Sequence, residues 1–391
     1  MPATSLLADI RIADMTTVIF GPYCTQTLAD MGADVVKLEP ESGDTFRNVG
    51  RPANNRGMGP CHMTINRGKR SGVWDMKSDE GKAAIRKLIG QSDVFIHNIR
   101  PDAVARLGLT FEEVKAIRPD IVYVHCLGFG TEGPYAGRPA YDDLIQSLAG
   151  ACNLLPNVDG NEAPRFLPTA FADKVSGLHA MYATLAALHH RDRTGEAVHV
   201  EVPMFECISS FLLEEHFYEA AFDPPVGPYY YQRQIDPSRQ PVRTKNGWIT
   251  IAPYVDHRWV TLFETIGQPQ RLFETVGQAR LDAFLRGGCN LADSGTKICP
   301  IGCLRVEHNV IGDSVKDELH EYYQLGHWWL ARLLEEGRSR GRMSYPGTSD
   351  DQAMLIHAAL QGALQNARAE GPNQFHVVLE QIKSWMTTST N

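Results

Sequence analysis

DIRIADMTTVIFGPYCTQTLADMGADVVKLEP, residues 9–40, is the stretch that decides the fold. DIRIADM reads as a strand and TTVIFGPY as a loop. A helix follows from Thr25 to Met31, which Gly32 stops, and ADVVKLE reads as a second strand. A strand, helix, strand order of this length predicts a parallel β-α-β unit with a right-handed crossover. Glu39 ends the second strand where an acidic residue can hold a ribose. The loop has one glycine where a pyrophosphate-binding loop needs three, so a nicotinamide-dependent enzyme is disfavoured.

Working outward, SDEGKAAIRKLI (78–89) reads as a helix with Ser78 as its N-cap and Asp79 and Glu80 in its first turn. VFIHNI (94–99) and IVYVHCLGF (121–129) are apolar runs of the kind buried on both faces of a parallel sheet. ADKVSGLHAMYATLAALHH (172–190) is helical in period, with Asp173 at its N-terminal edge. VHVEV (198–202) alternates as a strand, and a further helix is expected from about Met204 to Ala221. The first half is therefore expected to be α/β around a parallel sheet. DPPVGPYYYQRQIDPSRQP (223–241) reads as a domain-crossing segment. RTKNGWITIAPY (243–254) reads as a hairpin with Asn246-Gly247 at its turn, in a smaller domain over about 225–320. Gly287-Gly288, CPIGC and GRSRGRMSYPGTSDD break the final third into short pieces.

The 391 residues, 43% hydrophobic, are enough for two domains. A net charge of −8 with dispersed cations disfavours nucleic acid. The absence of a basic leader or a long apolar run predicts a cytoplasmic protein outside the membrane. Eight dispersed cysteines fit a reducing compartment better than a disulfide framework. Cys299 and Cys303, with Cys289 and His308, have C-x3-C rather than C-x2-C spacing and show no set of four tetrahedral ligands with an ordered second shell, so scattered core thiols and no metal are expected. The fourteen histidines form no H-x-x-x-H pair on a clear helix. Phosphate-loop and serine-hydrolase motifs are missing, which leaves carboxylates. Asp173 begins a helix whose first-turn N–H groups favour an anion. Ser176 and Gly177 beside it are small enough to admit a substrate, although an Asp there is equally read as a helix cap.

GPYCTQTLADMGADVVKLEP, NRGKRSGVWDMKSDEGKAAIRKLIGQSDVFIHNIRPDAVARLGL, GFGTEGPYAGRPAYDDLIQSLAG, PTAFADKVSGLHAMYATLAALHHRDRTGE and RQPVRTKNGWITIAPY occur in this order between residue 6 and about 265. In order and spacing they resemble the class III CoA-transferases, the CaiB/BaiF family that includes formyl-CoA transferase. The resemblance implies a Rossmann-like large domain with a parallel sheet, a smaller α+β domain, and two subunits interlocked as linked rings. It implies domains at 1–224 and 225–320, with 321–391 returning to the large domain. It places the family's nucleophile on Asp173, with Asp142 as a second acidic residue beside Tyr141.

The same resemblance puts coenzyme A contacts at Ile19, Phe20, Trp74, Lys77, Asn98, Arg100, Arg106 and Pro139. Lys77, Arg100 and Arg106 are suited to phosphates. Ile19 and Phe20 stand where some members have Gln and Ala, Pro40 where some have Arg, and TGEA for the usual TG-x-G. The implied substrates are an acyl-CoA and a small carboxylic acid, and the implied partner is a second copy of the chain. Arg233 and Arg239 suggest a dicarboxylate acceptor with succinyl-CoA as donor. Two alternatives stay open. An α-methylacyl-CoA racemase would want His where Tyr141 stands, because a phenol with a pKa of about 10 is a poor base at neutral pH. A non-catalytic CoA-binding protein would use Asp173 only as a helix cap.

Overall fold

The computed structural model describes residues 5–252, 254, 256–268, 292–293 and 309–386. Cys289, Cys299, Cys303 and His308 lie outside these residues. The chain forms two compact units, Met1–Gln240 and Pro241–Asn391.

The first unit is built on six parallel strands: β1 Arg11–Met15, β2 Asp34–Glu39, β3 Arg70–Val73, β4 Val94–His97, β5 Val122–Leu127 and β6 Val198–Pro203. Their order is β3-β2-β1-β4-β5-β6, so the chain reverses its direction of travel between β1 and β4. In open α/β sheets the crevice beyond the strand C-termini at such a reversal is where ligands bind. β1, β4 and β5 are almost wholly buried, as runs covered by helices on both faces must be. β3 is an exposed edge strand, RSGV, with no apolar pattern to announce it.

α1 runs Phe20–Asp30, five residues earlier than its apolar period suggests. Pro22 explains the difference, since proline is tolerated in a first turn whose N–H groups have no intrahelical partner. α2 (Pro60–Ile65) precedes β3, and α3 (Asp79–Ile89) begins as expected, with Ser78 Oγ accepting from Gly81 N at 3.0 Å. Between the central strands come α4 (Pro101–Leu107) and α5 (Phe111–Ile117), then α6 (Asp142–Leu148) and α7 (Leu154–Asp159). α8 (Phe171–Thr194) and α9 (Met204–His216) complete the unit. The sheet side facing α1 and α8 is sealed by Ile12, Leu28, Ile96, Val124, Ala172, Ala180 and Ile208. The other side is sealed by Phe95, Ile89, Val114 and Tyr123.

α9 ends at His216 and a 3-10 turn covers Tyr218–Ala221, so the expected single helix to Ala221 is two elements. The following segment folds back on α9, with Tyr230 N donating to His216 O at 2.8 Å and Val226 N to Glu219 O at 3.1 Å. These contacts carry the first unit to Gln240, beyond the expected boundary at 224.

In the second unit β7 (Val242–Arg243) and β8 (Trp248–Ile249) pair antiparallel, with Thr244 N donating to Gly247 O at 2.9 Å. The Asn-Gly signal located the hairpin, while the turn itself is centred one residue earlier, on Lys245-Asn246. α10 (Asp256–Thr265) follows, then the long helices α11 (Asp313–Ser339), α12 (Ser349–Glu370) and α13 (Asn373–Met386). They pack through Leu330, Leu334, Ala353, Ile356, Phe375 and Ile382. GRSRGRMSYPGTSDD spans the α11–α12 connection, where Thr348 and Asp351 form a capping box. Among the described residues no helix is long and apolar enough to cross a membrane.

Candidate active site

Thr17–Ile19, in the loop from β1 to α1, form one wall of a cavity of about 380 Å³ at the chain reversal. A buried charge network fixes that loop. Asp14 accepts from Thr16 N at 3.0 Å, Thr16 Oγ1 at 2.5 Å, Thr25 Oγ1 at 2.6 Å and Lys69 Nζ at 3.1 Å. Burial alone would raise the proton affinity of Asp14, but Lys69, Lys37 and the two hydroxyls more than reverse this, to a pKa of about 2. Lys37 donates to Thr16 O at 2.7 Å and pairs with Asp44 at 3.0 Å.

Asn98, at the end of β4, clamps the loop from the other side. Its Oδ1 accepts from Thr17 N and its Nδ2 donates to Thr17 O, both at 3.0 Å. Val18, held by Asp44 at 3.3 Å, sits at φ +70°, a conformation a β-branched residue adopts only under strain. Glu39 does not serve a ribose. Its two oxygens are taken by Arg47 at 2.6 and 2.7 Å, Ser71 Oγ at 2.5 Å and Asp44 N at 3.0 Å.

Asp173 faces this cavity from the third position of α8. The N-cap of α8 is Ala170 rather than Asp173, and among the described residues the Asp173 carboxylate is found in no capping bond. Asp142, the first residue of α6, supplies the cap instead: its Oδ1 accepts from Asp173 N at 3.0 Å. Asp142 Oδ2 accepts from Gln146 Nε2 at 2.5 Å, and Gln146 Oε1 accepts from Leu167 N at 2.9 Å. Burial first, then the negative charges of Asp142 and Asp143, push the Asp173 pKa up from 3.8 to about 7.

Ser176 and Gly177 are buried rather than open to a substrate, Gly177 against α1. A Cβ on Gly177 would lie 2.8 Å from Phe20 O and 3.0 Å from Tyr23 Cδ1, so its smallness lets α8 approach α1. Gly128, after β5, likewise leaves room for Ala140 in the loop that carries Tyr141.

Of the residues singled out from sequence, Ile19, Phe20, Asn98, Arg100, Pro139, Tyr141, Asp142 and Asp173 line the one cavity. Tyr141 is 66% exposed at its rim. Trp74, Lys77 and Arg106 do not line it, and neither do the exposed Arg233 and Arg239. Trp74 packs against the core under α3 and α5, and Arg106 is exposed in the last turn of α4. Thr17, Val18, Cys126–Phe129, Arg138 and Met204 are also among the lining residues and were not anticipated. The strand order identifies most of them, because they follow the C-terminal ends of β1, β5 and β6. Arg138 lies 4.8 Å over the Tyr135 ring and, with Arg100, gives the cavity two exposed guanidinium groups.

The sequence and fold have known relatives. A model of CoA-transferase family III matches residues 7–284. Succinate–glutarate CoA-transferase of Agrobacterium fabrum is 35% identical over 269 residues, covering 67% of this chain and 66% of that protein. Succinyl-CoA:mesaconate CoA-transferase of Haloarcula hispanica is 31% identical over 281 residues, covering 67% and 68%. The chain thus spans about two thirds of the length of these relatives. The crystal structure of a CAIB/BAIF family protein from Brucella suis matches with a TM-score of 0.61 at 30% identity, over 72% of this chain and 77% of that one. With the family match running through every strand of the six-stranded sheet and the whole cavity, the chain belongs to CoA-transferase family III.

Proposed function

We propose that this chain is an enzyme that moves coenzyme A from an acyl-CoA donor to a carboxylic acid, with Asp173 as nucleophile. The observation that carries the reading is a carboxylate of raised proton affinity facing a cavity at the chain reversal. An Asp173 oxygen attacks the thioester carbonyl. A C–O bond forms, the C–S bond breaks, and the thiolate leaves with its electron pair, giving a mixed anhydride. The thiolate then attacks the Asp173 carbonyl carbon, releasing the donor carboxylate and leaving an aspartyl-CoA thioester. The acceptor carboxylate attacks that thioester, and the returning thiolate takes the acceptor acyl group and frees Asp173.

Asn98 serves as a positioning residue, since both ends of its amide are spent on Thr17. Arg100 and Arg138 are the cavity's candidates for CoA phosphates. The names of the Agrobacterium and Haloarcula relatives support short dicarboxylates as substrates, with succinyl-CoA as a donor to try first. A homodimer is part of the same proposal.

Asp173→Asn tests the nucleophile. Transfer is lost, and mass spectrometry of the wild type quenched with hydroxylamine or borohydride finds an adduct on Asp173. Transfer by the variant near the wild-type rate overturns the proposal. A coupled screen of acyl-CoA donors against acids identifies the pair. Solvent deuterium entering the α-carbon of an acyl-CoA without any acceptor acid would instead favour racemisation.

A further inference from the structure

Strands β4, β5 and β6 present a ladder of aromatic and polar side chains on the sheet face opposite α1 and α8. Their register aligns Phe95 with Tyr123 and Tyr123 with His199, then His97 with His125 and His125 with Glu201. Residues two apart on a strand share a face, so all six point the same way.

The inner rungs are closed. His97 is fully buried, and its Nδ1 accepts from Ile99 N at 3.3 Å. The ring proton therefore sits on Nε2, 2.6 Å from the Tyr123 hydroxyl, which donates to Leu109 O at 3.0 Å. The outer rung is different. His125 Nε2 lies 3.0 Å from Ile99 O, and a carbonyl can only accept, so Nε2 carries the proton and Nδ1 keeps a free lone pair. His199 and Glu201 stand exposed on the edge strand. One ligand atom from each of His125, His199 and Glu201 lies within 4.8 Å of the other two.

We infer that His125, His199 and Glu201 bind one divalent transition-metal ion of the zinc class, with a further position open to water. Two imidazoles and a carboxylate are the donor types such ions take. His125 has the orientation expected of a ligand, its second ring nitrogen donating to a backbone carbonyl. Metal bonds of about 2.0–2.1 Å in a tetrahedron bring donors to roughly 3.3 Å apart. The remaining closure falls to His199 and Glu201, the two exposed side chains. Glu201 is held meanwhile by the Thr131 hydroxyl at 2.8 and 3.1 Å.

The full chain, stripped with a chelator, is titrated with zinc against a chromophoric chelator, and then with cobalt followed by absorption. One equivalent is expected to bind. Cobalt should give visible ligand-field bands without the near-ultraviolet band that thiolate ligation produces. Glu201→Gln, an exposed and near-isosteric change, and His199→Ala should each weaken that equivalent at least about tenfold. Wild-type titration by a folded Glu201→Gln chain overturns the proposal. So does a thiolate band accounting for the bound ion, which would move the site to cysteines. If His199→Ala does not fold, the Glu201→Gln titration alone decides.

Discussion

Asp173→Asn should make the first unit more stable at pH 8 while abolishing transfer. Asp173 has a pKa of about 7 in the folded chain against 3.8 for the free group. A group whose folded pKa is raised contributes stability below its unfolded value and loses it as pH rises through the folded one. The loss therefore runs from about pH 4 to above pH 7. The shift of about three units corresponds to about 4 kcal/mol at pH 8, of which roughly 1.5 kcal/mol is already present at pH 5. Asn is the uncharged isostere, so it escapes this cost at both values. Relaxation and water entry lower the figure. If about 2 kcal/mol survives, a unit of this size melts roughly 4–8 °C higher. The assay is thermal melting of wild type and variant by circular dichroism at pH 5 and pH 8, in the same buffer ions. The expected result is a gain larger at pH 8 than at pH 5. A gain that does not change with pH, or a variant less stable at pH 8, would refute the electrostatic account of Asp173.

Four further outcomes follow from the same geometry. Asp142→Asn removes one of the two charges that raise the Asp173 pKa, so the acid limb of the transfer rate should move to lower pH in a pH–rate profile. It should also cost about 1–3 kcal/mol in denaturant unfolding, because an amide nitrogen would face the Gln146 donor at 2.5 Å. Lys69→Met takes from buried Asp14 the cation bonded directly to it, leaving only Lys37 nearby, and should cost about 3–5 kcal/mol by the same measurement. In the wild type, Asp14 is held down to about 2, so its stability is present above about pH 3.8 and lost as pH falls through about 2. Gly177→Ala should destabilise by about 1–3 kcal/mol and raise the KM for acyl-CoA, since the new methyl meets Phe20 O at 2.8 Å and shifts the Ile19–Phe20 wall. Val18→Gly should raise stability by about 1 kcal/mol in the same unfolding experiment, through relief of the strained φ of +70°.

The parallel core was legible because burial writes itself into sequence. VFIHNI and IVYVHCLGF are apolar-rich and buried on both faces, and they are β4 and β5. RSGV was illegible for the opposite reason: β3 is an exposed edge, held by backbone pairing to β2. The start of α1 was missed because a Gly-Pro pair reads as loop until a first turn is seen to tolerate it. Asp173 could be found by position, but its proton affinity could not, because Asp142 and Asp143 lie about thirty residues away in sequence. The His125, His199 and Glu201 cluster escaped a search for helical histidine pairs. Its ligands are spaced by two along β6 and joined to β5 only by strand register.

Besides burial, the electrostatics of Asp173 depend on the neighbour that takes its N–H. A carboxylate at the start of a long helix ordinarily gains from the dipole and from free N–H groups. Here the Asp173 N–H is given to Asp142, and no hydrogen bond to the Asp173 carboxylate is found among the described residues. Asp142 is in turn fixed by Gln146, and Gln146 by Leu167 N, so the arrangement cannot relax by a simple side-chain rotation. The ionised Asp173 is therefore high in free energy, basic, and short of donors that would have to be stripped before it attacked. In the proposed reaction that charge leaves Asp173 as the anhydride forms and passes to the thiolate. Only interactions that change between ground state and transition state alter a rate. The cost that burial and Asp142 impose on the resting carboxylate is such an interaction. What weakens the fold as pH rises from about 4 through 7 is thus also what favours attack, burial first and the Asp142 charge after it.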